Sequence, residues 1–511
     1  MALAQVQSST NDTNGLAAVP SSSSRDALRV HEHLFINGRW TAPRGHGSID
    51  VIQSSNEQLI GRIPEGIDAD AGAAVAAARA AFERWSLTTP QERGAYLDKI
   101  AAGLRARADE LADLIAREVG MPLKLAGMIQ VGSPLATFAS YAKMVAEFEW
   151  EHTVGHSRVL REPVGVVACI TPWNYPLHQI AAKVGAALAA GCTVVLKPSE
   201  IAPLNAFVLA EVIEQAGLPA GVFNLVSGYG PGIGEALVRH PDVDMVSFTG
   251  STRAGRRISE VAAGTIKRVT LELGGKSASV VLDDADLAAA VKGTLNACFL
   301  NSGQTCSAHT RMLVPEARYE EAARLAVEGA KTFTVGDPLL PGARLGPLVS
   351  EAQRDRVRGY IRAGLEDGAE LLCGGADAPA STPAGTCSPP CSATCTRTAP
   401  SPRKKSSARS WLSSPTAAKT KPCASRMARR TGWAARCGPA ATSARLPWRG
   451  ACAPARSTST AAASMAWPRS AATSSRAMAA NWAATAWTNS SNTNRCNAAC
   501  RSKRNKASAT K

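Results

Sequence analysis

The sequence predicts an α/β protein: a doubly wound parallel-sheet nucleotide domain followed by a second α/β domain that carries the chemistry. Apolar runs of strand length stand at Val164–Ile170, Thr193–Leu196, Val222–Val226 and Met245–Phe248. Helical stretches separate them, around His178–Ala190, Leu204–Ala216, Gly232–Arg239 and Arg253–Ala263. Short polar or glycine-containing motifs follow the strands. Short buried strands alternating with helices give a parallel sheet covered on both faces. Such sheets bind ligands at the carboxyl ends of their strands, where these motifs fall.

Taken in order, residues up to about Val30 are polar and Ser-rich and read as a flexible arm. No charged start leads into an apolar run there, so no signal peptide is expected. Leu34–Trp40, with an Asn37-Gly38 turn, predicts a short hairpin. Leu97, Ile100, Leu104, Leu111 and Ile115 recur at helical steps and make one apolar face, on a helix stopped by Gly120 and Pro122. The strand–helix alternation follows from Val164. These signals divide the chain into an arm (1–30), a doubly wound region with an N-terminal helical part (31–272), a shorter α/β region (273–375) and an aberrant basic tail (376–511). The resemblance carried by the motifs below makes the second the nucleotide-binding domain and the third an incomplete catalytic domain.

Composition separates that tail from the rest. The chain has 511 residues, 45% of them hydrophobic, which suffices for more than one buried core. Its net charge of +16 is unevenly placed. From Ala376 to Lys511, 22 Lys and Arg stand against one acid, Asp377, leaving 35 basic and 40 acidic residues in front. The front therefore carries −5 and the tail +21. The tail has no Val, Ile, Phe or Tyr. Five cysteines precede it (Cys169, Cys192, Cys298, Cys306, Cys373), with neither CxxC nor Cys/His ligand spacing. That usage suits a reducing, cytoplasmic setting and argues against a disulfide scaffold or a metal site. No run approaches the ~18 apolar residues of a membrane span.

Thr171-Pro-Trp-Asn-Tyr-Pro176 follows the first of the four strands, Lys197-Pro-Ser-Glu200 the second and Gly250-Ser-Thr-Arg-Ala-Gly255 the fourth. A later strand ends in Glu272-Leu-Gly-Gly-Lys-Ser277, and a helix leads to Asn301-Ser-Gly-Gln-Thr-Cys306. In this order the motifs resemble the NAD(P)-dependent, hydrolytic aldehyde dehydrogenases. The match runs from about Leu34 to about Gly375 and includes Gly336-Asp-Pro338 and Leu345-Gly-Pro347.

A lone cysteine such as Cys306 reads as an inert buried thiol. The resemblance instead makes it the nucleophile that attacks the aldehyde to give a thiohemiacetal. A helix entry and free backbone N–H groups at Gly-Gln-Thr-Cys would stabilise its thiolate. Asn174 would ordinarily be a turn former. The resemblance assigns its amide, with the Cys306 backbone N–H, to the developing oxyanion, a role worth roughly 2.7–4 kcal/mol. Glu272 could be an ion-pair partner. The resemblance makes it the base that activates water against the thioester, a role suited to a semi-buried carboxylate with a raised pKa. Its presence favours a free carboxylic acid over acyl transfer to coenzyme A.

Gly228, Gly230, Gly232 and Gly234 do not fit the usual dinucleotide fingerprint. The resemblance implies another scheme, in which Lys197 and Glu200 hold the adenosine ribose and Gly230 packs near the adenine. Ser251, opening a helix, would meet the pyrophosphate. Trp173, Gly250 and Gly274 complete the cofactor set, and the side-chain-free Gly274-Gly275 pair leaves room for the cofactor. Glu200 should repel a 2′-phosphate, which favours NAD, with NADP the alternative. Elsewhere Lys197 and Glu200 would be a surface ion pair. The expected partner is a small aldehyde, with no membrane and no specific nucleic acid. The family's members associate as homo-oligomers.

Beyond Gly375 the resemblance fails. The expected Glu-x-Phe-Gly-Pro and Gly-Gly-x-x-x-Ser-Gly segments are absent. GC-rich codons for Arg403–Trp411, read two bases late, give Gln-Glu-Val-Phe-Gly-Pro-Val-Leu. The same offset turns Pro454–Ala462 into Gly-Gln-Val-Asp-Val-Asn-Gly-Gly. It also turns Ala471–Met478 into a string containing Gly-Tyr-Lys-Gln-Ser-Gly. The tail is therefore expected to be a frameshift product of a slip between Gly375 and Gly385, disordered or misfolded, as coil or isolated helices. The competing explanation is a basic nucleic-acid-binding arm, but the charges are scattered and no RNA-binding motif is present. For the whole chain, the alternatives are a catalytically dead relative lacking its C-terminal catalytic segment and a fold-only binding protein.

Overall fold

The computed structural model of the chain describes residues 27–376 and, beyond them, four short strands. The first described element stands at the boundary of the expected arm. β1 (Arg29–Val30) pairs in parallel with the later strand Leu59–Glu65, and Arg29 meets Glu110 at 2.8 Å. Residues 1–26 lie outside the described residues. β2 (Leu34–Ile36) and β3 (Arg39–Thr41) form the predicted hairpin. Its turn residues Asn37 and Gly38 both take positive φ, 54° and 71°, the geometry a tight two-residue hairpin requires. β4 (Gly47–Ile52) and β5 (Leu59–Glu65) pair antiparallel beside it.

Three helices follow: α1 (Asp68–Trp85), α2 (Pro90–Ala106) and α3 (Ala108–Val119). The sequence led us to expect one helix through Leu97 and Ile115, and the structure breaks it at Arg107 (φ −110°, ψ 20°). The Arg107 guanidinium at the break binds Glu110 and Glu211. The apolar face survives it: Leu97, Ile100, Leu104, Leu111 and Ile115 are all buried. Gly120, at φ 84°, ends α3 as expected.

After α4 (Gly132–Glu147) come a small hairpin, β6 (Glu151–Val154) and β7 (Ser157–Leu160), and then the predicted alternation. It runs β8 (Val166–Ile170), α5 (Pro176–Ala189), β9 (Thr193–Lys197), α6 (Leu204–Gln215) and β10 (Phe223–Leu225). It continues through α7 (Glu235–Arg239), β11 (Met245–Gly250), α8 (Thr252–Ala263) and β12 (Arg268–Leu273). The helix expected over Gly232–Arg239 shortens to α7, because Gly232 adopts a non-helical backbone. The sheet order is β12-β11-β8-β9-β10-β2-β3, parallel from β12 to β10. Every residue of β8, β9 and β10 is buried, because apolar clusters cover both faces. Since β9 lies on one side of β8 and β11 on the other, the order reverses there and opens a crevice at the carboxyl edge.

Sheet membership changes between Leu273 and Ala278. A second sheet contains β13 (Ala278–Val280), β14 (Arg311–Pro315) and β15 (Leu371–Cys373), with α9 (Leu287–Phe299), α10 (Tyr319–Lys331) and α11 (Glu351–Glu366) between them. Phe299, Val314, Ala326 and Leu295 are part of its core. The described pieces of the basic tail are strands, which corrects the expectation of coil or isolated helices for those stretches. β16 (Cys391–Ser392) and β17 (Trp411–Thr416) lie between β15 and β14, and β18 (Ala435–Cys437) pairs with β13. β19 (Asn494–Asn497) pairs antiparallel with β7. Main-chain groups make these ladders, and open edges of β13, β14 and β7 accept any extended chain, whatever its side chains. The remainder of the tail lies outside the described residues.

Candidate active site

The register lines the site residues up along one edge. Ile170 pairs with Lys197, Phe248 with Ile170, and Thr249 with Glu272. Trp173 and Asn174 therefore leave β8 beside Gly250 and Ser251 at the end of β11, with Lys197 on one flank and Glu272 on the other. Lys197 is buried, and its Nζ meets Glu200 Oε2 at 3.0 Å. Burial pushes its ammonium down and Glu200 opposes the shift. A buried cation with a half-buried carboxylate beside it is not the surface ion pair that the sequence left open.

Ser251 is the N-cap of α8, its Oγ accepting from Ala254 N at 3.2 Å, so the first turn of a 12-residue helix opens at the edge. Gly230 begins the turn after β10, exposed, and a Cβ there would meet nothing within 4 Å. Gly274 is buried directly after β12. Glu272 itself is exposed, not semi-buried as expected. Glu272 acts electrostatically on Lys183 of α5, a fully buried ammonium pushed down to about 8 by burial, with Cys169 and Glu272 opposing. Lys183 escaped the sequence reading, although a lone lysine in the apolar run of α5 was a signal.

Cys306 is exposed. No helix begins at it. α9 ends before it, and Asn301, Ser302 and Gly303 then take φ of 53°, 57° and 78°. Three successive left-handed residues turn the chain out of its helical path, so the expected help from a helix N-terminus is absent. Side chains hold the loop instead. Asn174 Nδ2 donates to the Gln304 carbonyl at 2.9 Å, and the Asn174 carbonyl accepts from Asn301 Nδ2 and Gln130 Nε2, each at 2.9 Å. Tyr175 OH and Thr305 Oγ1 are 2.8 Å apart. Ser302 Oγ donates to the Gly346 carbonyl and Gln304 Oε1 accepts from Val349 N, both at 2.9 Å. Asn301, Ser302 and Gln304 are buried supports of that loop, which the local sequence marks only as members of the Asn301–Cys306 motif. Among the described residues no cluster of His, Cys, Asp and Glu could hold a metal ion.

The chain as a whole is similar to known proteins. The aldehyde dehydrogenase family is matched over residues 40–399, past the Gly375 limit read from the motifs. A 3-succinoylsemialdehyde-pyridine dehydrogenase of a Pseudomonas species is 47% identical over 353 residues, covering 69% of this chain and 74% of that protein. An aldehyde dehydrogenase of Pseudomonas syringae, a cysteine-to-alanine mutant in complex with NAD+ and octanal, superposes with a TM-score of 0.79 at 40% identity. The match covers 81% of this chain and 86% of that one. An NAD+ complex of a Bacillus cereus aldehyde dehydrogenase gives 0.78 at 33% identity, over 82% and 86% of the two chains.

Proposed function

The chain belongs to the aldehyde dehydrogenase family, and from that premise we propose that it oxidises an aldehyde to a carboxylic acid with NAD+ and water, Cys306 being the nucleophile. The carrying observation is the 2.9 Å bond from Asn174 Nδ2 to the Gln304 carbonyl, two residues before Cys306. It fixes one amide hydrogen and leaves the second to face the oxygen of a bound aldehyde. Cys306 Sγ adds to the carbonyl carbon, and the charge arising on oxygen is met by that hydrogen and the Cys306 backbone N–H. A donor already immobilised stabilises the charge without reorganising. NAD+, when bound, supplies the two-electron oxidation that turns the Cys306 adduct into a thioester. Glu272 then takes a proton from the water that attacks the thioester, releasing the acid and restoring the thiol.

The cofactor fits the residues present. The buried Lys197 cation with Glu200 would hold ribose hydroxyls, and Glu200 disfavours a 2′-phosphate, hence NAD over NADP. The α8 N-terminus at Gly250 and Ser251 would take the pyrophosphate, Gly230 leaves open space for the adenine, and Trp173 and Gly274 border the nicotinamide end. On this reading 31–272 is the cofactor domain and 273–375 the start of the catalytic domain. Five cysteines ahead of the tail, with neither CxxC nor Cys/His ligand spacing, suit a cytoplasmic setting. Relatives named for a pyridine semialdehyde and crystallised with octanal support an aldehyde substrate.

A second reading rests on the exposure of both Cys306 and Glu272: the tail is a frameshift product and the chain binds NAD+ without turnover. NADH formation from aliphatic and aromatic aldehydes, measured for the full chain and for a frame-restored chain, tests both. Activity in both supports the first reading, and activity only after frame restoration supports the second. Silence of the frame-restored chain with all aldehydes, or turnover by its Cys306→Ala variant, removes the proposed mechanism.

A further inference from the structure

Glu118, near the end of α3, is wholly buried and far in sequence from every motif. Its Oε1 accepts from Leu204 N at 2.7 Å and its Oε2 from Asn205 Nδ2 at 3.1 Å. Leu204 is the first residue of α6, whose own N-cap position is Pro203 and supplies no side-chain cap. Asn205, also wholly buried, donates a second time to the Ala202 carbonyl at 2.9 Å. Glu118 thus ties down the far end of the segment that begins at Lys197 and carries Glu200. The near end is held by the sheet, through Thr171 N on the Lys197 carbonyl at 3.1 Å.

We infer that Glu118 is a positioning residue for the cofactor segment Lys197–Asn205, acting as an ionised carboxylate that anchors the start of α6. The inference rests on the NAD reading of Lys197 and Glu200. Both carboxylate oxygens face donors, so the ionised form fits the site and a proton on either oxygen opposes an N–H. Turning the Asn205 amide to meet that proton would sacrifice its bond to Ala202. Burial pushes the Glu118 carboxyl up to about 7, against the lowering effect of its Leu204 and Asn205 hydrogen bonds and of the Arg29 charge. Arg29, from β1, is the charged group acting on it, and is itself paired with Glu110. A buried carboxylate ionising near neutrality works against stability, so its place here is explained by what it holds.

Two measurements on the full-length chain test this. The first is the Kd for NAD+ by quenching of tryptophan fluorescence, from about pH 6 to about pH 8.5. Wild-type binding should tighten as pH rises through about 7. Glu118→Gln, which must point an NH2 at one of the two donors, should bind roughly tenfold more weakly at pH 8. Its pH dependence should also be flatter. The second is hydrogen exchange of the peptide covering 197–206, which should speed up in Glu118→Gln while the β8 and β11 peptides are unchanged. A folded Glu118→Gln with wild-type Kd, pH profile and exchange overturns the proposal. Faster exchange in the variant, with no NAD+ binding by the wild type, upholds the anchor and overturns the cofactor reading instead.

Discussion

Asn174 and Gln304 are joined across 130 residues of sequence by a single bond, from Asn174 Nδ2 to the Gln304 carbonyl. That bond couples the loop after β8 to the loop bearing Cys306. Replacing Asn174 by Ala removes both the clamp and the proposed oxyanion donor. Aldehyde oxidation by a frame-restored chain should fall about 10²–10³-fold in kcat. Alkylation of Cys306 by iodoacetamide forms no oxyanion and should change far less than kcat, by no more than the loosened loop accounts for. A parallel loss of both would show that Asn174 serves only to hold the loop.

Glu272 is assigned to the second half of the reaction alone. Glu272→Gln should therefore acylate normally and deacylate slowly. Stopped-flow mixing with aldehyde and NAD+ should give a burst of NADH close to one equivalent per site, followed by slow turnover. Steady-state turnover equal to the wild type would take Glu272 out of the mechanism.

Gly346 accepts the Ser302 hydroxyl through its carbonyl, and a Cβ on Gly346 would stand 1.8 Å from the Gly120 carbonyl oxygen. The Gly120 oxygen is backbone and cannot swing aside as a side chain would. Gly346→Ala should cost about 1–3 kcal/mol in urea unfolding, within the range for overpacked sites. It should also change the alkylation rate of Cys306 by displacing Ser302. A variant as stable and as reactive as the wild type would show that this contact is not tight in solution.

Glu118 gives a pH signature. Its carboxyl titrates near 7 in the folded chain and in the ordinary carboxylate range when unfolded, because burial disfavours its charge. Between those limits the folded state holds a proton that the unfolded state has released. Stability from this group is therefore present below the ordinary range, declines as pH rises, and levels off above about 7. The span is roughly 2–4 kcal/mol. Glu118→Gln should lack the slope, so the wild-type advantage in urea midpoint should shrink from about pH 5 to about pH 8. An advantage that grows with pH would contradict the direction of the shift.

The strands and helices from Val166 to Ala263 were legible because each apolar run is long enough to be buried on both faces, and burial leaves little freedom in register. The hairpin at Asn37-Gly38 was legible because few residues tolerate two positive φ values in succession. The break at Arg107 was not, since helical periodicity continues through it and the ion pair of Arg107 with Glu211 is a tertiary contact. The strands in the basic tail were missed for a related reason: side-chain composition argues against a core, whereas edge pairing uses main-chain groups. The exposure of Glu272 and the absence of a helix start at Cys306 depend on what packs above the strand ends.

The sequence by itself determined the family and the order of the motifs along the chain, and it singled out Cys306, Asn174, Glu272 and Lys197 as the candidate site residues, since local patterns suffice to recognise them. Only the tertiary structure decided that Asn174 and Gln304 share a hydrogen bond, that Asn301 and Ser302 support the loop bearing Cys306 in left-handed conformations, and that Glu118 caps α6. Those relations join residues up to 130 positions apart. They depend on the register of parallel strands and on helix packing, which place two distant groups within hydrogen-bond reach and leave no mark on the spacing of either one.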